Sequence, residues 1–253
     1  TSNTEVETSP GYIVISGHTI RDHNNYGLLD VTGVLTKSSN VGITKLALQL
    51  KPEQMWDTYR RYGFGEATGT GFPGESAGVL RNHGRWRRLE QATISYGYGI
   101  SATPLQLAQA YAAIANGGKL RQPAFLQGSN NPPISAIDPG IAHAVARMLE
   151  TVPTIEGTGK KARVANYRIA GKTGTTNERR DSWFVGYTRD RVAVAWVGRD
   201  DNRPAGVTGS NAAMRVWARL FRQLPVEPVD LRMPDGANFV WVDKQEQALT
   251  DPS

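Results

Sequence analysis

Cysteine is missing from all 253 residues, which excludes disulfides, thiolate metal ligation and cysteine nucleophiles. Histidine is scarce. His18, His23, His83 and His143 lie far apart, with no HExxH pair and no ligand-spaced carboxylate cluster, so neither a metal nor a cofactor is expected. No apolar run approaches the ~18 residues needed to cross a bilayer. The opening TSNTEVETSPG lacks the layout of a signal peptide. The chain is therefore expected to be soluble as written, with any anchor lying upstream in a longer parent. A GxSxG elbow is also absent, so nothing anchors a Ser-His-Asp triad.

What the chain does have is a basic excess, with a net charge of +6 and a pI near 9.6. Much of it sits in Arg81-Asn82-His83-Gly84-Arg85-Trp86-Arg87-Arg88. A tryptophan among arginines can stack on single-stranded nucleic acid while the guanidinium groups hold phosphates. No nucleic-acid fold signature accompanies the run. A solvated basic loop that favours anionic partners is the better reading, and no nucleic acid is expected.

The hydrophobic pattern divides the chain. Short strands fit Gly11–Ile15 and Thr19–Arg21, followed by a loop at Asp22–Gly27. From Val31 the spacing becomes helical, interrupted at Ser38-Ser39-Asn40. Pro52 suits the first turn of a helix running to about Tyr62. Glycine-rich residues 63–85 read as an extended loop region. Thr103-Pro104-Leu105-Gln106 is a helix start with a capping box, and Gly117-Gly118 is its end. The helix between is nearly all apolar, which points to burial. Asp138-Pro139 opens another helix, with Ile141, Val145, Met148, Leu149 and Val152 on one face. Ser182–Thr188 and Val192–Gly198 read as paired strands. Ser210–Leu224 reads as a closing helix whose apolar face carries Ala213, Val216, Trp217, Leu220 and Phe221. Helices first, then strands with a last helix, predict an α+β fold: a helical cluster packed on an antiparallel sheet. Residues 1–224 are expected to form the domain, and residues 225–253 a peripheral tail.

Two short stretches carry chemistry. Gly171-Lys172-Thr173 has the closing residues of a phosphate-binding loop, but Asn166 stands where that loop needs glycine, and a β-prone segment follows instead of a helix. On an edge strand, Lys172-Thr173-Gly174-Thr175 offers an ammonium, two hydroxyls and open backbone groups, with Gly174 small enough for a substrate backbone to approach. Such a site suits a carboxylate. Ser38-Ser39-Asn40 offers a hydroxyl for proton relay and an amide to hold a substrate carbonyl or amide.

Together, SxN and KTG resemble the penicillin-binding D,D-transpeptidases and serine β-lactamases, whose motif set is SxxK, S-D-N and K-T-G. LDVTGVLTKSSNVGITKLAL, GFGEATGTGFPGESAG and ATISYGYGISATPLQLAQAYAAIANGGKLRQP resemble the class B septal enzymes, over about residues 11–170. From about Ala170, AGKTGTTNERRDSWFVGYTRDRVAVAWVGRDDN and VDLRMPDGANFVWVD resemble the class A bifunctional enzymes, so the chain reads as a hybrid joined near KTG. The resemblance implies the α/β transpeptidase core and acyl transfer at D-Ala-D-Ala stems for peptidoglycan cross-linking. It also implies a site on the periplasmic face of the inner membrane. By the same resemblance Ser38 relays a proton, Asn40 holds the acyl-side amide and Lys172 supplies positive potential. Thr173 and Thr175 bind the carboxylate beside Gly174, and the Thr175 N–H helps form the oxyanion hole. The implied partners are peptidoglycan stem peptides, β-lactams and other cell-wall synthesis proteins.

One family motif has no counterpart. The residues three before the eight lysines are Val34, Gly42, Leu48, Asn116, Gly157, Thr158, Ile169 and Trp241, so there is no Ser-x-x-Lys in these 253 residues. Thr158-Gly159-Lys160-Lys161 alone has a hydroxyl at that spacing, and it reads as a turn. The chain is thus expected to be incomplete in the N-terminal part of the family fold and inactive alone. Three readings follow: a fragment whose nucleophile segment comes from another chain, a folded domain unable to acylate, or a non-catalytic interaction module.

Overall fold

In this computed structural model, residues 1–129, 131–154, 156–162, 168–225, 227–229, 241–242 and 248–249 are described. Turn residues cut the first thirty into short strands: β1 (Glu5–Glu7), β2 (Tyr12–Ile15), β3 (His18–Arg21) and β4 (Leu28–Asp30). β1 pairs with β4, and β2 with β3, both antiparallel. Ser16 and Gly17, with φ of 48° and 81°, make the two-residue β2–β3 turn, where positive φ matches the strand twist.

The chain then turns helical. Asp30 caps α1 (Val31–Lys37) by accepting from the Gly33 N–H, and Ser39 caps α2 (Asn40–Ala47) by accepting from that of Gly42. Pro52 starts α3 (Pro52–Arg61) as expected. Residues 63–85 are mostly irregular but hold β5 (Val79–Leu80) and a 3-10 turn at His83–Arg85. α4 (Arg88–Ile94) begins inside the basic run, where the pattern gave no helix. The Glu90 carboxylate secures its start by accepting from the Arg87 N–H at 2.6 Å. β6 (Ile100–Ser101) pairs with β5.

α5 (Pro104–Ala115) has the expected capping box: the Gln106 N–H donates to Thr103 Oγ1 at 3.1 Å and the Thr103 N–H to Gln106 Oε1 at 2.8 Å. Gln106 is fully buried, and its Nε2 donates to the carbonyls of Glu66 (2.8 Å), Ala77 (2.9 Å) and Gly63 (3.4 Å). One side chain thereby ties the glycine-rich loop to the start of α5. After the short β7–β8 pair (Lys119–Leu120 with Ile134–Ser135) comes α6 (Pro139–Thr151), capped by Asp138.

The main sheet is antiparallel, in the order β11-β10-β9, from β9 (Ala170–Thr175), β10 (Ser182–Tyr187) and β11 (Val192–Val197). α7 (Ala213–Phe221) lies on one face. Phe184, Met214, Trp217 and Phe221 form the core there, with the Trp217 and Phe221 rings stacked at 3.8 Å. The other face buries Tyr187 and Ala170 against Leu149, Tyr111 and Val145 of α6 and α5. Two smaller clusters lie away from the sheet: Ile15, Ile20 and Ala92 fasten the β2–β3 hairpin to α4, and Ala47, Met55 and Ile94 join α2, α3 and α4. The backbone of Trp241–Val242 pairs with that of Ala248–Leu249 as β12 and β13.

The α+β expectation holds, but some faces differ. On α7 the buried residues are Ala213, Met214, Trp217, Ala218 and Phe221, whereas Val216 is 57% and Leu220 45% exposed. The stripe over the sheet is centred one residue away from Val216, because the Trp217–Phe221 stack sets the rotation. On α6, Ile141 is 57% exposed, and Ala142 and Ala146 make the close contact instead. Leu105, in the first turn of the nearly apolar α5, is also exposed.

Candidate functional site

Ser38 stands between two helices. It is the C-cap of α1, with φ 59° and ψ 47°, a left-handed conformation rare outside glycine and asparagine. Its N–H donates to the Leu35 carbonyl at 3.2 Å, and the Ser39 N–H to that of Val34 at 3.0 Å, which closes the α1 end. The chain reverses there and enters α2. Ser39 is buried and faces inward, where its hydroxyl donates to Asp22 Oδ2 at 2.6 Å. Asn40 Nδ2 donates to the Arg21 carbonyl at 3.1 Å.

Lys172 reaches this turn from β9. Its Nζ donates to Ser38 Oγ at 2.7 Å, joining residues 134 apart in sequence, and to the Thr173 carbonyl at 3.2 Å. Desolvation of the half-buried side chain pushes the ammonium down from 10.5 to about 8. Three further ties connect α1 to β9 by way of residues 156–158. Lys37 pairs with Glu156 at 3.0 Å, the Thr158 N–H donates to the Thr36 carbonyl at 3.3 Å, and Thr158 Oγ1 lies 2.8 Å from Thr173 Oγ1. Thr158, read from sequence as part of a plain turn, thus links α1 to the KTG strand.

Among the described residues no strand pairs with the outer edge of β9. The Thr176 N–H donates to the Asp181 carbonyl, so antiparallel alternation turns the backbone groups of Thr175 and Thr173 toward the open edge. Alternation also separates side chains by face. Lys172 and Gly174 stand opposite Val185 and Trp183, while Thr173 and Thr175 share the face of Phe184 and Ser182, next to α7. The Thr175 hydroxyl accepts from the Gly209 N–H at 2.9 Å and keeps its own hydrogen to donate. Gly209 is packed so closely that a Cβ there would lie 2.5 Å from the Gly174 carbonyl oxygen. Beyond the strand, Tyr98, Thr176, Asn177, Glu178, Arg180, Asp181 and Asn202 line an open depression of about 340 Å³.

The structure therefore brings Ser38 and Lys172 into contact, sets Asn40 on the same turn, and lays Thr173-Gly174-Thr175 along an open edge. The penicillin binding protein transpeptidase domain profile matches residues 1–224. This chain belongs to the penicillin-binding protein transpeptidase family. It is 36% identical over 242 residues to peptidoglycan D,D-transpeptidase FtsI of Escherichia coli K12, covering 89% of this chain and 41% of that protein. It is 40% identical over 177 residues to the probable peptidoglycan D,D-transpeptidase PbpC of Pseudomonas aeruginosa, covering 70% of this chain and 31% of that one. The apo TP domain of Burkholderia pseudomallei penicillin-binding protein 3 superposes with a TM-score of 0.77 at 38% identity, over 89% of this chain and 75% of that one. The chain thus spans less than half the length of these two curated relatives. No metal-ligating cluster occurs among the described residues, and none of their helices is long and apolar enough to cross a membrane.

Asp22, Thr158 and Gly209 were not legible as site residues in the sequence. Each acts through a partner distant along the chain, and none lies within a family motif quoted above.

Proposed function

We propose that this chain carries two of the three active-site motifs of a peptidoglycan D,D-transpeptidase, and that a Ser-x-x-Lys segment from outside these residues supplies the nucleophile. The observation that carries the proposal is the Lys172–Ser38 hydrogen bond. It joins an ammonium of lowered proton affinity to a hydroxyl, as a proton relay requires. In the reaction, a serine hydroxyl attacks the carbonyl of the penultimate D-Ala of a stem peptide. The C–N bond to the terminal D-Ala breaks, and the proton released by the nucleophile reaches the leaving nitrogen through Ser38. The amine of a second stem then attacks the ester, forming the cross-link and restoring the serine. Lys172 keeps the site positive. Asn40 orients the acyl-side amide, the Thr173 and Thr175 hydroxyls receive the terminal carboxylate, and the edge-facing Thr175 N–H stabilises the oxyanion. β-Lactams acylate the same serine and stop there.

Residues 1–224 form this unit, with the tail from 225 peripheral to it. The site works on the periplasmic side of the inner membrane, among other cell-wall synthesis proteins. One end of the sheet supports a docking position for the absent segment. β11 is a terminal strand of Val192-Ala193-Val194-Ala195-Trp196-Val197 with an unpaired outer edge among the described residues, an arrangement that an added strand satisfies.

The test is labelling with a fluorescent penicillin, using the chain alone and mixed with a polypeptide carrying the Ser-x-x-Lys segment. No label is expected on the chain alone, and label on the added segment is expected only in the mixture. Label on the chain alone would refute the external nucleophile. No label in the mixture, with association demonstrated, would favour a non-catalytic stem-peptide-binding module.

A further inference from the structure

Asp22 lies in neither motif and follows directly on β3, yet both its carboxylate oxygens are committed to the serine turn. Oδ2 accepts from Ser39 Oγ at 2.6 Å and Oδ1 from the Val41 N–H at 3.0 Å. Its neighbour Arg21 offers its carbonyl to Asn40 Nδ2 at 3.1 Å. Ser39 Oγ, besides donating to Asp22, accepts from the Gly42 N–H at 2.8 Å. Two adjacent residues at the end of the hairpin therefore hold Ser39, Asn40 and Val41 one after another. The hairpin is itself anchored, because Ile15 and Ile20 are buried against Ala92.

This grip matters because of the residue it precedes. Ser38 has φ 59°, which an L side chain keeps only where the surroundings over-determine it. The α1 end fixes one side of Ser38 through the Leu35 and Val34 carbonyls. The other side is fixed by Ser39, whose side chain ends on Asp22. Release of that carboxylate would let the Ser39–Val41 segment unwind and Ser38 relax toward ordinary backbone angles, carrying Oγ away from Lys172.

We propose that Asp22 is a positioning residue of the transpeptidase site: its carboxylate locks the Ser39–Val41 turn, so that Ser38 presents its hydroxyl to the Lys172 ammonium. A purely structural role, capping the first turn of α2, would also use the Asp22–Val41 bond, but it would not reach Lys172. The catalytic consequence rests on the function proposed above; the positioning itself does not.

The experiment follows the 13Cε resonance of Lys172 with pH in the whole chain, assigned with Lys172→Arg. In the wild type its midpoint is expected at about 8. With Asp22→Ala, water reaches the ammonium and the midpoint should rise by about one pH unit or more. Asp22→Asn keeps an oxygen for the Val41 N–H and a donor for Ser39 Oγ, and should stay near the wild type. Ser39→Ala, which leaves Asp22 in place, should shift the midpoint in the same direction as Asp22→Ala and serves as the test if that variant does not fold. In the chain complemented with the Ser-x-x-Lys segment, Asp22→Ala should slow penicillin labelling about tenfold or more, with Asp22→Asn restoring it. An unmoved Lys172 midpoint in folded Asp22→Ala or Ser39→Ala, whatever the loss of melting temperature, would reduce Asp22 to a helix cap and overturn the proposal. Failure of the complemented wild type to label would count against the proposed function alone, since the lysine titration still decides on Asp22.

Discussion

Replacing Lys172 with methionine should make the folded chain more stable. Burial lowers the ammonium from 10.5 to about 8, and at ~1.4 kcal/mol per pH unit the charged form is disfavoured in the fold by about 3 kcal/mol. Lys172 is only half-buried over its whole length, so solvent screening reduces the figure to about 2 kcal/mol. Methionine retains most of the aliphatic stem and carries no charge to desolvate. It also loses the donations to Ser38 Oγ and the Thr173 carbonyl, which leaves an expected net gain of about 1 kcal/mol near neutral pH. The pH dependence is the sharper test. Below about 8 lysine is protonated in both folded and unfolded chains, and the full penalty stands. Between about 8 and 10.5 the unfolded chain holds more protons, so wild-type stability rises with pH and its deficit against Lys172→Met closes. Half-buried Tyr59, Tyr62 and Tyr111 act in the opposite sense at higher pH. Desolvation raises each to about 12, so their contribution is present below 10 and lost as pH climbs through 12. That term is common to both chains and cancels in the difference. Urea unfolding, followed by tryptophan fluorescence at about pH 7 and about pH 9.5, gives the two differences. A Lys172→Met chain less stable than wild type at neutral pH, or a gap that stays constant with pH, would refute the buried-ammonium account.

Other expectations are simpler. Trp217→Ala removes a ring stacked on Phe221, edge-on to Phe184 and donating to the Ala193 carbonyl, and should cost about 3–5 kcal/mol in urea unfolding. Gln106→Leu strips the Gly63, Glu66 and Ala77 carbonyls of their common donor. It should cost about 3 kcal/mol and open residues 63–78 to limited proteolysis, read by mass spectrometry. Gly209→Ala drives a Cβ to 2.5 Å from the Gly174 carbonyl oxygen and 2.7 Å from that of Trp183. Displacement of β9 should then slow penicillin labelling of the complemented chain at least about tenfold. Arg85, Arg87 and Arg88 are exposed, and changing all three to Gln should alter stability by less than about 0.5 kcal/mol, measured by thermal melting.

Where a signal is local, the sequence displayed it. Thr103 and Gln106 are three residues apart and cap each other, so their chemistry and spacing sufficed to place the start of α5. Pro52 and Asp138-Pro139 did the same for α3 and α6. Helix faces were less legible. Val216 and Trp217 are both apolar and adjacent, and only the aromatic stack with Phe221 decides which one turns inward. α4 was hidden because its first residues belong to an arginine run, and a single carboxylate, Glu90, supplies the cap. The motif residues were legible through family resemblance, but their support was not. Asp22 meets Ser39 and Val41 at separations of 17 and 19 residues, and no periodicity marks such a contact.

Two unfavourable features meet at one contact. Ser38 is held in left-handed backbone, which costs about 1–2 kcal/mol for an L residue. Lys172 keeps an ammonium where water is scarce. Neither feature helps the chain to fold: glycine at position 38 would relieve the strain, and an apolar side chain at position 172 would remove the desolvation. Both are held from outside the contact: the Asp22 grip and the α1 end hold Ser38, while the sheet register and Thr158 hold β9 against α1. Such an arrangement loses function before it loses fold. Substitutions at Ser38 or Lys172 should leave a folded domain, and one at least as stable for Lys172→Met, while substitutions in the surrounding holders should lower stability and disturb the Lys172 midpoint together. The site is thus a local conflict that the rest of the fold is built to sustain.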